Sequence, residues 1–243
     1  MSNSHPVAGW VVHRRPFRDT SLLLELLTRE HGRIGAVARG ARGQRSRWRG
    51  VLEPFQPVLV DWRGRGELAT LVFAEAGGRP LQFPGTRLAA AFYLSELVLR
   101  LLQREDPAAD VFDAYGEALY GLADTGAAED LPLRLFEKRL LDALGYGLLL
   151  DATADSGEPV TATGTYRYEL EYGPVPAAPG GSGLLVSGAT LLALAREQLE
   201  NETQRGEARK LLREALRLYI GERPLQSRAL YLSLRRGIKD SGS

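Results

Sequence analysis

Short apolar segments separated by glycine and proline occupy the first third of the chain. Five of them are rich in Val, Leu, Phe and Trp, and they read GWVVHRRP, TSLLLELLTRE, RIGAVARG, EPFQPVLVDW and ELATLVFAEA. Such segments indicate β-strands, and EHGR and RGRGE between them are turn signals. Five strands with no helix between them predict a small closed barrel, for which the five-stranded oligonucleotide-binding (OB) barrel is the natural candidate.

A glycine- and proline-rich stretch, GGRPLQFPG, ends this pattern, so we predict a barrel domain over residues 1–80 and a helical domain over residues 81–243. The segment TRLAAAFYLSELVLRLLQRE is apolar around most of its circumference, which is typical of a helix at the centre of a bundle. PAADVFDAYGEALYGLAD and LPLRLFEKRLLDALGYG have apolar residues at helical spacing. Three further helices are predicted, at about residues 188–198, at about 202–220 and from about 225.

A polar insert over residues 151–187 interrupts the helices. Within it Tyr166, Tyr168, Leu170 and Tyr172 alternate as in a strand. The predicted fold class is therefore α+β: an N-terminal five-stranded OB barrel followed by an α-helical bundle with a small β insert.

The net charge of +1 hides two regions of opposite sign. Lys and Arg outnumber Asp and Glu by 13 to 7 before Phe83, whereas acidic residues outnumber basic ones by 23 to 18 after it. This balance argues against the helical domain as a DNA surface. Only three of the 31 basic residues are lysine, which favours forked donors suited to phosphate oxygens, although genomic base composition would produce the same bias.

The residue inventory predicts no catalytic site, cofactor or metal site. The chain has no cysteine, and none of its lysines follows a glycine as a phosphate-binding loop requires. The G-x-S-x-G nucleophile elbow is absent, and the three histidines lack the spacing of a zinc-protease helix. Carboxylates such as Asp151 and Asp155 leave a metal-dependent nuclease as a minor alternative.

No secretory leader or apolar run long enough for a membrane span is present, so we expect a cytoplasmic protein.

The stretch RIGAVARGARGQRSRWRGVLEPF concentrates positive charge and has no acidic residue before Glu53. A basic surface with an interleaved aromatic residue suits a nucleic-acid backbone with a base stacked on the ring, and the four glycines predict a flexible loop. The predicted DNA-binding residues are Arg14, Arg15, Arg33, Arg39, Arg42, Arg45, Arg47, Trp48 and Arg49. Arg63 and Arg65 add a second loop. In the alternative interpretation, Trp48 packs on the barrel and the arginines pair with the acidic helical domain.

The segment GWVVHRRPFRDTSLLLELLTREHGRIGAVARGARG resembles the N-terminus of the RecO family of bacterial DNA repair proteins. In that family a strand ending in His-x-x-Pro leads to a Ser-Leu strand, a Gly-Arg turn and a basic R-G-A-R loop. The similarity continues through LEPFQPVLV, GRGELATL and FEKRLLDALGYG into SGEPV, and it ends at RPLQSRALY. It covers nearly the whole chain in the right order.

The resemblance implies a recombination mediator that is not an enzyme. Such a protein binds single- and double-stranded DNA, anneals complementary strands, and with RecR helps RecA to load on DNA coated with the single-strand binding protein (SSB). It also implies a nucleoid-associated protein that contacts the acidic, Phe-terminated C-terminal tail of SSB. The candidates for the tail site are Arg134 and Lys138, which are four residues apart on one face of a predicted helix, where they could equally be solvated charges.

One departure from the family concerns metal. Many members carry two Cys-x-x-Cys pairs that form a zinc site in the insert, whereas Thr153 and Ser156 stand in place of the first pair here. Neutral hydroxyls are poor zinc ligands, so we predict an insert without zinc. An RNA-binding OB protein remains the alternative function, because nothing in the arginine stretch recognises a 2′-hydroxyl.

Overall fold

The computed structural model describes residues 5–64, 66, 68–178, 182–221 and 223–240, with side chains as far as residue 235. The strands are β1 Val7–Phe17, β2 Ser21–Thr28, β3 Gly32–Ala38, β4 Pro57–Arg63, β5 Ala69–Ala76, β6 Thr165–Glu169, β7 Gly173–Pro176 and β8 Leu185–Ser187. The helices are α1 Thr86–Leu101, α2 Ala109–Ala123, α3 Asp130–Ala143, α4 Gly188–Ala195, α5 Glu202–Ile220 and α6 Gln226–Asp240. None of these described helices is long and apolar enough to cross a bilayer.

The first five strands close into a barrel in the order β1-β2-β3-β5-β4, with β4 pairing back to β1. All neighbours are antiparallel except β3 and β5, which run parallel. Alternate side chains point into the barrel, where Val11, Leu24, Leu26, Val58 and Val60 are almost completely buried. The predicted α+β fold class, with an OB-like barrel followed by helices, is confirmed.

The chain divides into two compact units. One unit contains Met1–Thr125 together with Pro224–Ser243, and the other contains Gly126–Arg223. The barrel, α1, α2 and α6 therefore belong to one unit, in which α6 packs against α1. This division differs from the boundary near residue 80 that we predicted from the sequence. Helix α1 contacts β1 and α2 contacts β2, so these two helices group with the barrel.

The second unit contains α3, α4 and α5 with a three-stranded sheet in the order β7-β6-β8. Tyr166 and Tyr168 of β6 are buried, and the backbone turns immediately after Glu169, so Leu170 and Tyr172 lie beyond the strand. The insert thus contains the expected strand in a shorter form, flanked by two further strands.

Candidate nucleic-acid interface

The arginine-rich segment between β3 and β4 is a chain of tight turns. Successive backbone hydrogen bonds run from Gly43 N to Gly40 O, from Ser46 N to Gly43 O and from Arg49 N to Ser46 O, at 3.1 to 3.3 Å. Gly40 and Gly50 have φ values of 68° and 74°, which glycine adopts without strain. We call residues 39–56 the arginine loop. Its backbone is held in this shape by its own hydrogen bonds, while the flexibility expected from its glycines stays a prediction.

Trp48 anchors the arginine loop in the barrel core. Its side chain is only 5% exposed and packs in the cluster that includes Leu24 and Val60. The indole Nε1 donates a hydrogen bond of 3.3 Å to the carbonyl oxygen of Arg39, and the guanidinium of Arg47 lies 4.1 Å from the ring centroid. The ring therefore has no face open to a base, and its position agrees with the alternative that Trp48 packs on the barrel.

Burial of Trp48 leaves the loop arginines facing solvent. Arg39, Arg42, Arg45, Arg47 and Arg49 are all exposed. Arg47 also donates to the carbonyl oxygen of Val72 at 3.1 Å, so it links the loop to β5. The side chains of Arg39, Arg45 and Arg49 form no hydrogen bond or ion pair within the described part of the chain, which leaves their donors available.

An open cleft of about 430 Å³ joins the arginine loop to the first two strands. Arg14, Arg15 and Arg42 line it above an apolar floor that includes Pro16 and Leu22. Arg15 is exposed, whereas Arg14 forms an ion pair with Glu53. Arg42 reaches the carbonyl oxygens of Arg18 and Asp19 at 3.3 and 3.4 Å. The cleft thus combines cations with apolar surface, and Leu22, on the same face of β2 as Leu24 and Leu26, is partly buried against the barrel core.

Arg33 does not belong to this surface. It lies on β3, and its guanidinium donates to the carbonyl oxygen of Leu99 and stands 3.8 Å from the Glu25 carboxylate. Arg104 pairs with the same carboxylate. Burial, together with the charge of Arg104, lowers the pKa of Arg33, while Glu25 acts in the opposite direction. The guanidinium of Arg33 therefore interacts with residues of its own unit and does not face the cleft.

The predicted second loop is only partly described. Arg63 is exposed at the end of β4, and Arg65 lies outside the described residues.

The two cations predicted for the tail site lie on α3 in different environments. Arg134 is only 4% exposed and donates to Glu137 at 2.5 Å, so the solvent-facing position that we expected for it is not found. Its Nε and Nη1 atoms have no hydrogen-bond partner within the described residues. Lys138 is half-buried and donates to Asp142 at 2.9 Å and to Glu197 at 3.3 Å.

The insert holds hydroxyl groups at the two positions where the resemblance implied a pair of thiolates. Thr153 Oγ1 and Ser156 Oγ lie 2.9 Å apart, and the turn between them is closed by a 2.9 Å hydrogen bond from Gly157 N to Thr153 O. These donors do not fit zinc, which requires thiolate, imidazole or carboxylate ligands. The described residues contain no cluster of three or more His, Cys, Asp or Glu side chains that could hold a metal ion.

Comparison with known proteins gives matches along almost the whole chain. Residues 1–77 match the family described as "Recombination protein O N terminal", and residues 83–229 match "Recombination protein O C terminal". The DNA repair protein RecO of Alkalilimnicola ehrlichii is 55% identical over 231 residues, which cover 94% of this chain and 91% of that protein. The RecO protein of Halorhodospira halophila is 45% identical over 238 residues, covering 97% and 100%. That of Methylococcus capsulatus is 46% identical over 227 residues, covering 93% and 92%.

Proposed function

This chain belongs to the RecO family of DNA repair proteins, and from that premise we propose that it is a recombination mediator. In this proposal it binds single- and double-stranded DNA and anneals complementary strands without catalysing a covalent step. Together with RecR it helps RecA to load on single-stranded DNA coated with SSB, and it works at the nucleoid.

The arginine loop is the observation that carries the DNA-binding part of the proposal. Three of its arginines, Arg39, Arg45 and Arg49, present guanidinium groups to solvent from a backbone fixed by Trp48 and by successive turns. Guanidinium groups form paired hydrogen bonds with phosphate oxygens. Because the loop is already ordered, binding would cost little backbone entropy. Bases would then contact the apolar floor of the adjoining cleft, since the Trp48 ring is covered.

A triple variant tests this part of the proposal. Replacing Arg39, Arg45 and Arg49 by Ala should weaken binding to single-stranded DNA. The slope of log affinity against log salt concentration should fall by about 2, because each lost phosphate contact contributes about 0.7. The matched control replaces Arg79, Arg196 and Arg228, which are exposed and have no ion pair within the described residues. A loss of affinity without a change in slope would mean that the loop arginines are structural.

A strand-annealing assay on SSB-coated DNA tests the mediator role. The wild-type protein should accelerate annealing of complementary coated strands, and the triple variant should not. The same binding measurement with an RNA oligonucleotide of matched sequence provides the comparison for an RNA-binding function. A protein that bound RNA more tightly than DNA and annealed no coated strands would refute the proposal.

For the acidic SSB tail we propose the region around Arg134 and Lys138. The supporting observation is that Arg134 retains two guanidinium nitrogens without a hydrogen-bond partner among the described residues. Buried donors of this kind are costly unless a partner satisfies them, and a carboxylate would do so. Because Arg134 is 4% exposed, the tail would reach it only if the neighbouring side chains move.

A further inference from the structure

Helix α5 carries a concentration of positive charge that the acidic total of the region after Phe83 conceals. Between Arg209 and Ile220 it has four cations, Arg209, Lys210, Arg213 and Arg217, against one carboxylate, Glu214. Arg209, Arg213 and Arg217 follow one another at intervals of four residues, so they form a row with a rise of about 6 Å per step. The opposite face of the helix is buried through Leu211, Leu212, Ala215 and Leu216.

The cations of this row face solvent. The side chains of Arg213 and Arg217 are 67% and 79% exposed, and both approach Glu214, at 3.2 and 3.6 Å. Arg209 and Lys210 are exposed and have no ion pair within the described part of the chain. Glu214, together with Glu207 beside Lys210, neutralises only part of this charge, so a surface of net positive charge runs along the second half of α5. We call it the α5 row.

A stacked pair of tyrosines lies where this helix ends. The rings of Tyr146 and Tyr219 are 3.9 Å apart between centroids and 12° from parallel. Tyr146 is held in the turn after α3 by a 2.9 Å hydrogen bond from its backbone N–H to the carbonyl oxygen of Leu141. Tyr146 is 45% exposed although one face of its ring is covered by Tyr219. Nearly half of the Tyr146 side chain is thus open to solvent beside the stack.

From these observations we propose that the α5 row and the Tyr146–Tyr219 stack form a second binding surface for single-stranded nucleic acid. The evenly spaced guanidinium groups would follow the phosphates, and a base would stack on Tyr146. An acidic peptide would satisfy the cations but offers no aromatic face at each step, so the combination favours nucleic acid. The inference rests on the proposed function, because a protein that anneals two strands needs a place for each of them.

The first test removes the row while leaving the barrel intact. The double variant Arg213→Ala/Arg217→Ala should reduce the slope of log affinity against log salt concentration for a long single strand by about 1.4, since two contacts are lost at about 0.7 each. The control Arg196→Ala/Arg228→Ala removes the same charge from exposed positions elsewhere and should leave the slope unchanged.

The second test concerns stacking. Tyr146→Ala should weaken binding at least about fivefold, which is the lower end of the effect of losing one base–aromatic stack. A strand containing 5-iododeoxyuridine should form a photo-crosslink to Tyr146 in the wild-type protein, identified by mass spectrometry of the peptides. Crosslinks found only on the barrel would overturn the inference.

The outcomes separate this inference from the proposed function. If the wild-type protein does not bind DNA, both fail. If it binds, and the arginine-loop variant is weakened while the α5 variant matches its control, only the second surface is refuted. If the α5 variant binds DNA normally but no longer binds an SSB-tail peptide, the row is a protein-binding surface, and the inference is wrong.

Discussion

Arg33 and Arg47 belong to the same stretch of sequence as Arg39 and Arg45, yet their side chains have different surroundings. Arg33 contacts Leu99 and Glu25, and Arg47 covers the ring of Trp48. Arg39 and Arg45 face solvent. All four arginines look alike in the sequence. The order of residues in a strand or a loop does not show which carboxylates and carbonyl oxygens come near from other segments. Local charge density thus predicted that part of this stretch would be an exposed basic surface, while the partners of Arg33 and Arg47 could be found only from the tertiary fold.

The buried ion pair of Arg134 with Glu137 leads to a prediction about the free energy of unfolding. Removing one partner of a buried ion pair leaves a charge without compensation, so Arg134→Ala should lower the free energy of unfolding by about 3 kcal/mol. Arg134→Glu would be worse, because it places a second carboxylate beside Glu137, which is also buried. The measurement is urea unfolding followed by circular dichroism.

Two companion variants make this result interpretable. Arg196→Ala removes an exposed charge and should change stability by less than about 0.5 kcal/mol. Replacing Arg134 and Glu137 together by Leu removes both charges and should recover most of the loss. A loss of less than about 1 kcal/mol in Arg134→Ala would show that the pair is not needed for the fold, and tail-binding assays could then use that variant directly.

Glu96 shows how one element is fixed by another. This residue of α1 accepts hydrogen bonds from the backbone N–H groups of Gln226 and Ser227 at 2.9 and 3.0 Å, and from Arg100 at 2.8 Å. The carboxylate therefore caps the first turn of α6, a role usually filled by a residue next to the helix itself. Burial acts to raise the pKa of Glu96, but these hydrogen bonds outweigh it and hold the pKa below its ordinary value.

We predict that Glu96→Ala loosens α6. The loss of a charged cap should destabilise this helix by about 2 kcal/mol, and hydrogen exchange of its backbone amides should accelerate while that of the barrel strands is unchanged. Because the folded pKa lies below the unfolded one, the contribution is fully present at neutral pH and is lost as pH falls from about 4.5 through the lowered value. The control Glu75→Ala changes an exposed residue of β5 and should have no such effect.

Most elements of this fold were predictable from the sequence, and α6 shows where such prediction ends. The five barrel strands and the long helices have strong hydrophobic periodicity, and the structure contains them with boundaries shifted by a few residues. Helix α6 belongs to the unit of the barrel, where Glu96 accepts a hydrogen bond from the backbone of Gln226 and Arg100 donates one to the carbonyl oxygen of Pro224. Each of these pairs is more than 120 residues apart in the sequence. Hydrophobic periodicity carries no information about such distant pairs. For the same reason, the burial of Arg134 was missed.

Charge is distributed over the whole molecule more locally than the counts before and after Phe83 imply. The acidic excess after Phe83 argued against DNA contacts there, but the excess does not show where each sign lies. Internal pairs such as Glu197 with Arg139 and Asp130 with Arg205 hold charges of both signs in equal number. What matters for a polyanion is the charge that remains at the surface, and along α5 this is positive. The total for the region after Phe83 averages over these pairs and over the α5 row alike.

Two binding surfaces on one molecule predict that affinity depends on strand length in a particular way. One OB barrel accommodates about 4 to 16 nucleotides, so a strand of about 8 should fit on the barrel alone. We expect Arg213→Ala/Arg217→Ala to bind this short strand like the wild-type protein and to bind a strand several times longer more weakly. The triple replacement of Arg39, Arg45 and Arg49 should weaken both, and combining the two variants should add their losses in log affinity for the long strand. Fluorescence anisotropy at several salt concentrations gives all of these values. Equal losses on short and long strands in the α5 variant would mean that this helix affects binding through the barrel, and not through phosphate contacts of its own.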